Sequence, residues 1–104
     1  MKIAIASKEK KPESDISDMA GRAPYYLIFD GDGKLLKTIK NPFSIGGGGA
    51  GWGVAKMLAD EGINVVIAGR FGQNMIQALK ERGISYRESG GSVKDAVKGF
   101  PKNG

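Results

Sequence analysis

"WGVAKMLADEGINVVIA", residues 52–68, carries two structural periods in succession, and their junction decides the fold. Val54, Met57, Leu58 and Glu61 recur at helical spacing, which predicts a helix over 52–61 with Gly62 placed to cap its C-terminus. The strand that follows, 63–68, ends in the unbroken apolar run "VVIA", the pattern of a parallel strand covered on both faces. A helix feeding such a strand is part of a right-handed crossover, so the chain is read as α/β.

Upstream, "KIAIA" (2–6), "YYLIF" (25–29) and "KLLKTIK" (34–40) read as three strands, the last two joined by the hairpin signal "DGDG" (30–33). Lys34, Lys37 and Lys40 suit an exposed sheet edge, where charge discourages pairing with other chains. Downstream, "GQNMIQALKERG" (72–83) predicts a second helix with Ile76 and Leu79 inward, stopped by Gly83. "ISY" (84–86) is a short fifth strand. "SVKDAVKGF" (92–100) is a third helix, with Ser92 and Asp95 as a capping box and Val93, Ala96, Val97 and Phe100 on one face. Right-handed crossovers place the fourth and fifth strands on the other side of the first. The expected sheet order is 3-2-1-4-5, with only the second strand antiparallel and three helices flanking it. No repeat or linker interrupts the chain, which predicts one domain over 1–104.

This topology collects loops 7–24, 41–53, 68–74 and 87–92, with all three helix N-termini, at one sheet edge. Those loops bring Lys8, Lys10, Lys11, Arg22, Arg70, Arg87 and most of the glycines. Helix N-termini, guanidinium groups and little side-chain bulk together make an anion site. The gap between strands one and four is also the switch point where open α/β sheets bind ligands.

Composition narrows the chemistry. The 104 residues, 40% apolar and 26% charged, suit a globular protein, and no apolar run approaches the ~20 residues of a membrane span. The start lacks a signal-peptide pattern, so a cytoplasmic protein is expected. With no cysteine and no histidine, the chain supplies no thiolate, imidazole or Ser–His dyad. The net charge of +5 favours an anionic partner.

The glycine run of 46–53, six glycines in eight residues, requires a close approach by something. Gly46, Gly48 and Gly51 satisfy GxGxxG, and Arg70 stands where an NADP-preferring enzyme reads the 2′-phosphate. However, a dinucleotide fingerprint belongs directly after the first strand, and here three strands precede it. A P-loop needs Lys-Ser/Thr after its last glycine, and Val54 follows instead. "DGDGKLLKTIKN" (30–41) has Asn41 where a calcium loop needs its bidentate glutamate, so it reads as a hairpin. Asp15 and Asp18 read as solvated acids. Tyr25 and Tyr26 read as one surface and one core residue of a strand, and no RNA-binding signature accompanies them.

Taken together, "MKIAIAS…SDISDMAGRAPYYLIFD…NP…GGGGAGWGVAKMLADEGINVVIAGRFGQNMIQALKERGIS…GGSVKDAV" resembles the dinitrogenase iron–molybdenum cofactor biosynthesis domain, the NifX and NifB C-terminal-like family. The resemblance spans essentially residues 1–100. It implies a ribonuclease H-like fold and a non-catalytic protein that binds or carries an iron–molybdenum cofactor or its iron–sulfur precursor. In the family pattern His-Phe-Gly-Arg-Ala precedes the second strand, whereas residues 19–23 here are Met19, Ala20, Gly21, Arg22 and Ala23. A cluster held by this chain would therefore not be ligated by Cys or His. What the resemblance carries over is an anion-binding edge: Gly21, Arg22, Gly48, Gly49, Gly51, Arg70, Gly72 and Asn74. The expected partners are a small anion or metal cluster and a protein that donates or accepts it. The alternatives are a nucleotide-binding protein using the 46–53 loop and an interaction module with no small ligand.

Overall fold

The computed structural model describes residues 1–45 and 50–99. Five strands form one sheet: β1 (Lys2–Ser7), β2 (Tyr25–Asp30), β3 (Leu35–Lys40), β4 (Val65–Ala68) and β5 (Ser85–Glu88). Three helices flank it: α1 (Ala50–Asp60), α2 (Gln73–Glu81) and α3 (Val93–Lys98). A single 3₁₀ turn, Ala20–Arg22, precedes β2.

The sheet order is β3-β2-β1-β4-β5. β2 is antiparallel to both neighbours, while β1, β4 and β5 run parallel. This is the arrangement expected from the "VVIA" strand and the "DGDG" hairpin. At the hairpin the Asp30 carboxylate accepts backbone N–H bonds from Asp32 and Lys34, both at 2.9 Å. The bond from Lys34 is the main reason its carboxyl group titrates below the ordinary aspartate range. Gly62 and Gly83 end their helices at φ +76° and +70°, a region that L side chains avoid.

The sheet is covered on both faces, which explains the apolar β4. Val66 and Ala68 join Tyr26, Val54, Leu58, Met75 and Leu79 on the α1/α2 face. Ile67 joins Ile3, Ile5, Leu27, Phe29, Ile16 and Val93 on the α3 face. β3 is largely exposed, and its Lys37 ammonium meets the Glu61 carboxylate at 2.9 Å.

Several boundaries move for identifiable reasons. α1 begins at Ala50, so Gly51 and Gly53 lie inside a helix, where each is weaker than alanine by about 1 kcal/mol. Packing outweighs that propensity. A Cβ on Gly51 would sit 3.0 Å from both the backbone nitrogen and the Cβ of Met75, and one on Gly53 would sit 2.4 Å from the Phe43 ring. α2 buries Met75, Ala78 and Leu79, leaving Ile76 only half-buried at the margin of that face. β5 runs to Glu88 because Arg87 and Glu88 continue the pairing with Ile67 and Ala68. Ser92 caps α3 by accepting the Asp95 N–H at 3.1 Å. Phe100, expected on the inner face of α3, lies outside the described residues.

Candidate functional site

The loops expected to converge do meet. Residues 16–20 run beside the ends of β1 and β4: the Ser17 N–H donates to Ala6 O, the Gly69 N–H to Ser17 O, and the Ala20 N–H to Arg70 O. A parallel bridge joins Met19 to Arg70, and an antiparallel one joins Asp15 to Ser92. The segment thus closes over the gap between β1 and β4, the switch point of the sheet. Gly69 permits the crossing, because a Cβ there would come within 2.8 Å of the Asp18 carbonyl oxygen.

Two clefts open at this edge, with Met19 in the wall of both. The first, about 290 Å³, is lined by Gly21, Arg22, Gly51, Gly72, Gln73 and Asn74, with Met19, Ala50 and Met75 between them. It unites five of the eight expected site residues from three separate segments. Among the described residues no acidic side chain lines it, and α2 begins there. Gly72 is the N-cap of α2 and offers no side chain to the first turn, which also holds no acidic residue. The first-turn N–H groups and the positive end of the helix dipole therefore lie at the cleft wall with no capping side chain, while the Glu88 carboxylate accepts from the Phe71 N–H just ahead of the N-cap.

The second cleft, about 590 Å³, holds Arg70 with Asp18, Gly69, Glu88, Ser89 and Gly90. Arg70 and Arg22 therefore line neighbouring clefts. Glu88 is anchored there by the Phe71 N–H at 3.1 Å, and two carboxylates offset the single guanidinium. Lys8, Lys10 and Lys11 line neither cleft; with Glu9 and Tyr25 they line a separate groove of about 480 Å³, the Lys10 ammonium 5.8 Å from the Tyr25 ring centre. Arg87 lines neither cleft. Gly48 and Gly49 lie outside the described residues.

Two buried polar residues hold the 3₁₀ turn that carries Arg22. The Tyr26 hydroxyl donates to the Ala20 carbonyl from a fully buried position, and burial pushes its pKa well above the ordinary tyrosine value. Asn41 is equally buried, and its amide group donates to the carbonyls of Gly21 at 3.2 Å and Ala23 at 2.8 Å. The sequence assigns Asn41 no site role. The signal for its real place was the Asn-Pro pair, which initiates turns: its Oδ1 accepts the Phe43 N–H at 2.9 Å.

A protein-family model described as dinitrogenase iron–molybdenum cofactor matches residues 1–103. The chain belongs to that family. Among solved structures, the apo form of the orange protein from Desulfovibrio gigas superposes with a TM-score of 0.85 at 26% identity. That match covers 95% of this chain and 85% of that one. A Thermotoga protein of the DUF35 family, with a provisional NifB designation, matches with a TM-score of 0.80 at 31% identity. It too is matched over 95% of this chain and 85% of its own. The PH0822 protein shares the fold, with a TM-score of 0.78 at 22% identity over 96% and 89% of the two chains. No curated protein matches.

For this member of the iron–molybdenum cofactor family, the donor chemistry is restrictive. The chain has no Cys or His, and no group of three or more metal-ligating side chains occurs among the described residues. The Arg22 cleft offers amide N–H groups, a guanidinium and thioethers, none of them a strong ligand for a transition metal. No helix among the described residues is long and apolar enough to cross a membrane.

Proposed function

We propose that the protein is a non-catalytic carrier or binding domain. Its cargo is an anionic metal cluster or comparable small anion, held in the Arg22 cleft by charge and amide hydrogen bonds. The observation that carries this reading is a cleft built on a helix N-terminus and an arginine, with no acidic side chain among the described residues of its wall. Family membership supports the cargo class. The absence of Cys and His supports retention without metal–ligand bonds, and so ready transfer to and from a donor or acceptor protein. Gly51, which the GxGxxG reading would use, is instead packed against Met75.

The test is anion-dependent thermal stability at matched ionic strength, with phosphate and citrate against chloride. A ligand bound only by the folded state adds RT ln(1 + [L]/Kd), about 2.7 kcal/mol at a hundredfold excess over Kd. Arg22→Ala is expected to lose most of the difference, Arg70→Ala to retain the larger part, and Lys34→Ala at the distant hairpin to retain all of it. Equal responses from the three variants would reduce the effect to general screening of a basic protein and overturn the proposal.

A further inference from the structure

We infer that Asn41 is a positioning residue for anion recognition, fixing the turn that presents Arg22 without touching the ligand itself. The inference rests on the reading of the Arg22 cleft as the anion site. Asn41 is only 1% exposed, and each of its side-chain polar atoms is engaged. Its two amide bonds end on Gly21 and Ala23, the residues on either side of Arg22. Its backbone N–H donates to Pro24 O at 2.9 Å, so one residue grips the turn at three carbonyls.

The turn itself is weakly made. The Arg22 N–H reaches Met19 O at 3.2 Å and the Ala23 N–H reaches Ala20 O at 3.5 Å, the long end of hydrogen-bond geometry. A short 3₁₀ segment with such bonds depends on outside contacts for its shape. On the α1 side Gly21 packs at van der Waals distance, since a Cβ on it would stand 3.6 Å from Gly51 N and 3.7 Å from the Ala50 Cβ. Tyr26 and the Arg70 carbonyl hold the turn at Ala20, and Asn41 holds it on both sides of Arg22, where the guanidinium stem leaves the backbone.

The test pairs Asn41→Ala with Arg22→Ala and the double variant, using inorganic phosphate as the probe. Asn41→Asp is the second variant; it keeps the acceptor for the Phe43 N–H and removes both donors. Two readouts are phosphate affinity by titration and backbone amide exchange at Arg22 and Ala23. Losing a donor that holds the turn is expected to weaken phosphate about fivefold in the parent and to add nothing in the Arg22→Ala background. Exchange at Arg22 and Ala23 should accelerate while β1 amides stay protected.

Equal weakening in both backgrounds would make Asn41 a general support of the fold and overturn the inference. Intact phosphate binding in both Asn41 variants, with Arg22→Ala impaired, would overturn it while leaving the cleft reading in place. Failure of the parent protein to bind phosphate, or unchanged binding by Arg22→Ala, would remove the cleft reading and the inference with it.

Discussion

Asp18 crosses Gly69 so closely that a methyl group on Gly69 would lie 2.8 Å from the Asp18 carbonyl oxygen. The Gly69 N–H, on the same residue, donates to Ser17 O at 2.9 Å, so the crossing strand cannot simply lift away. Gly69→Ala is expected to cost about 1–3 kcal/mol, the range for overpacking a tight site. Gly72→Ala has nothing within 4 Å of the new methyl and an ordinary φ of −77°. It should stay within about 1 kcal/mol of the parent, a lost cap preference offset by a stiffer unfolded chain. Urea midpoints at unchanged m decide the matter, and equal losses would remove the crossing as the cause.

Gly72→Asp should separate stability from binding. An aspartate at the N-cap accepts first-turn N–H bonds and opposes the positive helix end, adding up to about 1 kcal/mol. The same carboxylate occupies the pole offered to an anion, so phosphate affinity should fall. A melting temperature and an affinity that rise together would show that the ligand sits elsewhere.

Tyr26→Phe should destabilise by about 1–2 kcal/mol at neutral pH, because the Ala20 carbonyl loses its buried donor. The sign of its pH dependence follows from the raised pKa. Folded Tyr26 keeps its proton where the unfolded chain gives it up. Its contribution is therefore full below the ordinary tyrosine value of about 10 and declines as pH rises above it, by up to about 1.4 kcal/mol per pH unit. The gap between parent and Tyr26→Phe should close in that range, as followed by urea unfolding from pH 8 upward. Parallel curves would mean the hydroxyl reaches water.

Metal content gives a fourth check. Protein purified in air and washed with chelator is expected to retain no stoichiometric iron, zinc or copper. Carboxylates, amides and the Met19 thioether are poor holders of such ions without thiolate or imidazole. Elemental analysis showing a retained equivalent would place a ligand set that the described side chains do not form.

The sheet was legible because its signals are local. "VVIA" can only be covered on two faces, and "DGDG" can only turn back, so the strand order followed from connection rules. The convergence of Gly21, Arg22, Gly51, Gly72 and Asn74 was legible from the same topology, since strand ends define the edge. What escaped is non-local. Nothing in a glycine's own sequence says that Met75 fills its missing side chain, so Gly51 reads as loop when it is helix. Arg70 and Arg22 share an edge, but only the path of residues 17–20 decides that Met19 stands between them. Asn41 lies twenty residues from Gly21 in the chain, and its hydrogen bonds leave no periodic mark.

The contact between Gly51 and Met75 also sets a dimension. At that point the first turns of α1 and α2 are separated by less than one methyl group, so the two helices bear on each other like the closed jaws of a gauge. Neither can shift inward, and parting them would expose the buried Met75, Ala78 and Leu79 face. Gly51 and Met75 both line the Arg22 cleft, so this contact forms part of its wall. On the proposed reading, size discrimination belongs to the backbone, and loading and unloading are left to the exposed side chains at the rim, with Met19 foremost at 42% exposure.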